Sequence, residues 1–145
     1  MKTIKKSIEI DAPKEKIWDV LTQDSYTRDW LAIFSPGSFA QTDWQLGSKV
    51  TFADHTGSGI FGRIITHEPC ELLSIEYDGV LNDNEEDFES KEAQLFKGAH
   101  ETYRLSSKES KTLLDIESDM SESGFESMSE AWDKALLKIK SLAEE

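Results

Sequence analysis

Residues 123–143 read SGFESMSEAWDKALLKIKSLA, and the spacing of their apolar side chains decides the fold. Phe125, Met128, Trp132, Ala135, Leu136, Ile139, Leu142 and Ala143 recur at steps of three and four, with Glu126, Ser129, Glu130, Asp133, Lys134, Lys138 and Lys140 between them. That period predicts a long amphipathic helix with one apolar stripe. Ser123 followed by Glu126 has the form of a capping box, in which a hydroxyl and a carboxylate each satisfy an orphan backbone N–H. Acids lead and lysines follow, the order favoured by the helix macrodipole, and Glu130 and Lys134 are spaced for an i,i+4 pair. A stripe holding Trp and Phe is too bulky to leave in water, so the rest of the chain is expected to wrap it.

Working back from that helix, residues 38–120 alternate with period two almost throughout. Val50 and Phe52, then 60–66, then Leu73, Ile75 and Tyr77, then Tyr103 and Leu105, then Leu114, Ile116, Ser118 and Met120 mark five or six strands. The turn cues are Gly47, the 56–59 run, Glu68-Pro69, Asp78-Gly79 and 106–110, all short enough to join antiparallel neighbours. Only 80–99 is long. It is expected to be a mobile acidic loop or a lid with one poor helical turn carrying Phe88, Leu95 and Phe96, and its stretch 82–92 has little apolar surface to offset ordering entropy.

At the N-terminus Ile4, Ile8 and Ile10 alternate with polar residues, giving a strand with one wet face, and Lys6 on the dry face suggests an end or edge. Pro13 opens a short helix striped by Ile17, Trp18, Val20 and Leu21. Asp24 or Ser25 is placed to cap a second, carrying Tyr26, Trp30 and Leu31 and ended by Pro36-Gly37. The order is strand, two short helices, several strands and one long helix. This is an α+β arrangement in which a curved antiparallel sheet must curl around the terminal helix, with space beside it that is either filled or left as a cavity.

At 145 residues a single domain, 1–145, is expected, able to bury roughly two-thirds of its unfolded surface. The one cysteine, Cys70, precludes an internal disulfide, and no apolar run begins the chain, so a cytoplasmic protein without membrane insertion is expected. A net charge of −13 repels phosphate backbones and argues against nucleic-acid partners.

The chain also resembles the START-like, helix-grip superfamily (SRPBCC), and within it the family related to the activator of the heat-shock protein ninety ATPase. The resemblance is carried by Ile10-Asp11-Ala12-Pro13 with Ile17-Trp18 and Leu21, Tyr26 and Trp30, Gly47 before Val50 and Phe52, and Gly62-Arg63-Ile64 leading to Glu68-Pro69. It continues through Leu73 to Tyr77, Tyr103-Arg104-Leu105, Thr112-Leu113-Leu114 and Gly124-Phe125 with Trp132. It implies a sheet of about seven strands gripping the C-terminal helix and a hydrophobic cavity between them. It transfers no catalytic residues. The acidic 82–92 segment departs from the pattern.

Sites of other kinds fit poorly. Residues 57–62 match G-x-G-x-x-G, but a strand rather than a helix N-terminus follows, so a glycine-bearing hairpin is the better reading. His55, His67 and His100 lack metal-ligand spacing, and Cys70 lacks an adjacent cation that would activate it, so no metal, cofactor or catalytic set is expected. The inward strand and helix phases single out Phe52, Tyr77, Tyr103, Phe125, Met128 and Trp132 as ligand-binding candidates, with Glu101 added because it shares the phase of Tyr103 and Leu105. Glu101 either frays into water or turns inward to meet a donor, from Tyr77, Ser118, Arg63 or the polar group of a hydroxyl- or amine-bearing ligand. Three functions follow: a non-enzymatic module holding a small hydrophobic molecule, a chaperone-interacting domain as the resemblance implies, or an enzyme of cyclase or dehydratase type. The last requires titratable side chains converging in the cavity with shifted pKa values.

Overall fold

The first strand, β1 (Lys2–Ile10), lies at one edge of the sheet, and its alternating residues put Ile4 and Ile10 in the core. Lys6 shares their face but escapes burial of its charge by reaching Asp133 on the terminal helix at 2.9 Å. The computed structural model describes residues 1–145, and the order of elements continues with α1 (Lys14–Thr22) and α2 (Asp24–Leu31). These are followed by β2 (Phe39–Gln41), β3 (Lys49–Ala53), β4 (Gly59–Glu68), β5 (Leu72–Asn82), β6 (Glu85–Asp87) and α3 (Lys91–Phe96). The strands β7 (His100–Lys108) and β8 (Lys111–Met120) and the long helix α4 (Phe125–Ala143) complete the chain. Seven strands run antiparallel in the order β1-β8-β7-β5-β4-β3-β2, with the short β6 added to β5.

Curvature comes from irregular register and from glycine. The β4–β5 register slips at Phe61/Gly62 and again between Ile64 and Thr66, and such irregularities bend and twist a strand. At Gly62 a Cβ would lie 2.2 Å from the Glu76 carbonyl oxygen, and at Gly59 2.0 Å from that of Phe52, so no side chain fits between these strands. The G-x-G-x-x-G match is therefore explained by close strand approach around a hairpin. The sheet curls over α4, which buries Trp132, Ala135, Leu136, Ile139, Leu142 and Ala143 while Leu137 on the opposite side is 62% exposed. The core joins this stripe to Ile17, Val20 and Leu21 of α1 and to Leu105, Leu114 and Ile116 of the sheet. No helix is long and apolar enough to cross a membrane.

Five local expectations are corrected. Ser123 does not cap α4: a 3-10 turn over Glu122–Gly124 precedes the helix, Gly124 is the N-cap, and the Ser123 hydroxyl meets that of Ser121 instead. Glu130 and Lys134 form no ion pair, the i,i+4 pair of α4 being Lys140 with Glu144 at 2.6 Å. Neither Asp24 nor Ser25 caps α2, because the helix already begins at Asp24 behind Gln23, and Asp24 instead pairs with Arg28. Asp78-Gly79 is no turn. β5 runs through it to Asn82, with Gly79 again needed because a Cβ would sit 2.3 Å from the Asp87 carbonyl oxygen.

The fifth correction is the largest: residues 82–92 are not a loop. Asp83 and Asn84 take left-handed conformations, φ 53° and 65°, which makes a two-residue hairpin between β5 and β6. Asp87 accepts hydrogen bonds from the backbone N–H groups of Glu89 and Ser90, and Ser90 caps α3 by accepting from the Ala93 N–H at 3.1 Å. The segment orders itself through local polar bonds rather than apolar burial, which composition does not reveal. Gly98 and Ala99 then clip onto Tyr77, with N–H···O distances of 2.9 and 2.8 Å.

Candidate functional site

Between α4 and the inner face of the sheet lies a cavity of about 180 Å³. An apolar cavity of about 150 Å³ accommodates benzene, so the space suits one ring with a short arm and is smaller than sites for drug-sized molecules. One wall is a cluster of rings. Trp132 lies 4.9 Å from Phe34, 6.0 Å from Tyr103 and 6.3 Å from Trp30, and Trp30 is fixed by an indole N–H donated to the Val20 carbonyl at 2.9 Å. Phe52 and Tyr77, 6.4 Å apart, close the sheet side, while Met128, Met120 and Phe96 complete the apolar lining.

Into this wall projects Glu101. It stands on β7 opposite Ser118 of β8, in phase with buried Tyr103, so the strand's alternation turns it inward. Tyr77 donates its hydroxyl proton to one carboxylate oxygen at 3.0 Å, and Tyr103 donates to the other in a short hydrogen bond. Glu101 retains some accessible surface because it borders the cavity, yet burial raises its pKa, and the two tyrosine hydroxyls oppose that rise by stabilising the charge. Both tyrosines are driven well above the ordinary phenol value, first by burial and then by the adjacent carboxylate. Two oxygens each accepting a phenolic proton is the arrangement of an ionised carboxylate.

A second acid, Asp119, comes to the edge of the cavity where β8 ends, while its carboxylate is engaged on the outer face of the sheet. Asp119 accepts from the Thr3 hydroxyl at 2.6 Å and from the His100 backbone N–H at 2.9 Å. Burial pushes its pKa up, but these bonds and the neighbouring His100 ring outweigh it and leave the pKa below the usual carboxylate range. The cavity is bordered by no lysine or arginine.

The structure brings together Phe52, Tyr77, Glu101, Tyr103, Met128 and Trp132 around this cavity. Phe125 stands apart. It occupies the first turn of α4, beyond the cavity, where its ring lies 5.1 Å beneath the Lys2 ammonium. Of the donors considered for Glu101, Tyr77 serves, whereas Arg63 points to the outer face and pairs with Glu76 and Asp78. Sequence reasoning missed Asp119, which is out of phase with Leu114, Ile116 and Ser118 and reaches the cavity only because β8 is ending there. It also left Phe96 out of the candidate set: the spacing predicts a helical turn there and α3 supplies it, but the placement of Phe96 on the cavity wall depends on the unforeseen hairpin. No cluster of three or more His, Cys, Asp or Glu side chains is arranged to hold a metal ion.

A curved antiparallel sheet closed over a long C-terminal helix, with a walled space between, defines a START-like, helix-grip protein. The model of the family described as activator of Hsp90 ATPase homolog 1-like protein matches residues 11–144, and the chain belongs to that family. Among solved structures it is similar to the Aha1 dimer from Colwellia psychrerythraea, with a TM-score of 0.76, 18% identity, and 99% of this chain and 97% of that one covered. Protein MLL2253 from Mesorhizobium loti gives a TM-score of 0.76 at 18% identity, covering 97% of this chain and 96% of that one. CalU16 from Micromonospora echinospora gives 0.69 at 22%, covering 97% and 75%. At these identities the likeness is one of fold. Comparison with curated proteins gives no match.

Proposed function

We propose that this protein is a non-enzymatic binding module that holds a small, largely apolar molecule between the sheet and α4, and that it acts in the cytoplasm. The observation that carries the reading is the cavity of about 180 Å³, walled by aromatic rings and furnished with the single inward carboxylate of Glu101. Phe52, Tyr77, Tyr103, Met128 and Trp132 supply the apolar contact in this reading, Glu101 the polar anchor that fixes orientation. Phe125 has no part in it. Native mass spectrometry of freshly purified protein tests occupancy directly. A co-purifying molecule that is released on unfolding supports the reading. Protein that emerges at its bare mass and binds no single-ring probe in a titration counts against it.

Two observations favour other readings. The convergence of Glu101, Tyr77 and Tyr103 with raised pKa values is the arrangement an enzyme of cyclase or dehydratase type requires. Both phenols already give their protons to Glu101 and are held above the ordinary phenol value, however, which leaves the cluster with acceptors and no free acid facing a substrate, and this favours binding over chemistry. Membership of the activator of Hsp90 ATPase homolog 1-like family supports a contact with that chaperone. Stimulation of the chaperone's ATPase by the wild type and by Trp132→Ala alike would favour a surface role over a cavity role.

A further inference from the structure

We infer that the cavity selects a small organic ammonium ion, an apolar ring or branched chain carrying one protonated amine, over neutral and anionic molecules of the same shape. The inference rests on the binding reading given above and adds the chemical class of the ligand.

The argument starts from the hydrogen-bonding inventory of the polar cluster. An ionised carboxylate has about four lone-pair sites, of which Tyr77 and Tyr103 occupy one on each oxygen of Glu101. Each phenol has a single proton, already given to Glu101, so its remaining capacity is as an acceptor. The Glu101–Tyr77–Tyr103 cluster therefore offers only acceptors to a guest. A molecule with a single hydroxyl satisfies one of them, whereas an ammonium carries up to three donors and the positive countercharge that no side chain gives the carboxylate. The charge balance points the same way: the Glu101 carboxylate faces the space, and no lysine or arginine borders it. The rings of Trp132, Phe34 and Tyr103 add to this, because aromatic faces attract a cation and the apolar body of the guest alike. An anionic guest of the fatty-acid or benzoate kind would meet like charge with no cationic partner. The size of the cavity limits the body to about one ring.

Three isosteric probes test this: benzylamine, benzyl alcohol and benzoate, titrated at neutral pH into isotopically labelled protein with chemical shifts followed by NMR. Benzylamine is expected to bind at least about tenfold more tightly than benzyl alcohol, the ratio a charge-assisted hydrogen bond supplies over a neutral one. Benzoate is expected not to bind. In Glu101→Gln, which keeps the shape of the side chain, the amine preference is expected to vanish while benzyl alcohol is retained. Should that variant fail to fold, the wild-type ratio still decides, and Tyr77→Phe, which leaves the carboxylate in place, is expected to keep the preference. Equal or tighter binding of benzyl alcohol or benzoate overturns the inference and leaves the cavity reading standing. Amine binding that survives Glu101→Gln also overturns it, by assigning the cation to the acidic surface. Failure of all three probes to bind overturns the inference and the binding reading together.

Discussion

Trp132→Ala tests whether α4 is held by its apolar stripe and how much of that hold the cavity has already forfeited. The indole is 2% exposed and is packed against Phe34, Trp30 and Tyr103. A side chain of this kind removes about 150–250 Å² from water, which at about 25 cal/mol per Å² corresponds to several kcal/mol, and truncation of Trp in a core costs about 3–5 kcal/mol. One side of the ring already borders empty space, so some of the dispersion contacts counted in that range are absent here. The expected loss is therefore near the lower end, about 3 kcal/mol. Urea unfolding followed by far-UV circular dichroism measures it, with an unchanged slope showing that the unfolded state is not the cause. Leu137→Ala, on the exposed side of the same helix, is the control and should change stability by less than about 0.5 kcal/mol. A loss below about 1 kcal/mol for Trp132→Ala would refute the reasoning, since the surroundings would then have to collapse fully into the vacated volume.

Three further outcomes follow from particular residues. Because burial raises the folded-state pKa of Glu101, stability from this group is complete below the unfolded value near 4.5 and is lost as pH rises through the folded value; Glu101→Gln should thus gain on the wild type as pH increases, and a gain in the opposite direction in pH-dependent denaturation would contradict the placement. Gly62→Ala drives a methyl group into the Glu76 carbonyl and should cost about 3 kcal/mol, the upper part of the overpacking range, measurable as a lowered urea midpoint. The acidic hairpin and α3 should behave as structure rather than loop: the amides of Ala93, Gln94, Lys97 and Gly98 are expected to be protected from hydrogen exchange, and Ser90→Ala should cost about 1 kcal/mol and remove that protection in part.

Periodicity carried most of the architecture. The stripe from Met128 to Ala143, the alternation of β7 and β8 and the two short helices all follow from side-chain spacing, because burial on one face is what selects those elements. Where the sequence misled, local polar chemistry competed with pattern. Ser123-x-x-Glu126 has the letters of a capping box, but a 3-10 turn consumes the serine. Asp78-Gly79 has the letters of a turn, but the glycine is there to let Asp87 approach. The stretch 82–92 lacks apolar residues, and composition alone is blind to an Asp-Asn pair that tolerates left-handed dihedrals and to a serine cap placed just beyond it. In the site, strand phase put Phe52, Tyr77 and Tyr103 on the inner face and left Glu101 open between fraying into water and turning inward; all four border the cavity. Phase says less at element ends: helix phase put Phe125 among the candidates although the first turn of α4 lies beyond the cavity, and Asp119 comes to the cavity's edge only where β8 ends.

Two features of the interior would each be selected against if stability were the only demand. An unfilled volume of about 180 Å³ forfeits packing, and a buried carboxylate costs desolvation that two hydroxyl donors only partly offset. Either could be removed by ordinary substitution: a larger residue than Met128 for the void, an apolar residue in place of Glu101 for the charge. They do not lie at random relative to each other. Glu101 faces the void, the two tyrosines that hold it line the void, and the hairpin-and-helix insertion between β5 and β7 delivers Phe96 to the same wall. Local violations of packing and polarity rules that coincide in one place are what the proposed binding site would leave in the fold. A guest with an apolar body and a donor end relieves both at once, restoring the missing contacts and satisfying the remaining acceptors. By linkage its binding should raise the unfolding midpoint of the wild type, and should do so far less in a Glu101→Leu, Met128→Phe double variant in which both defects have been designed away.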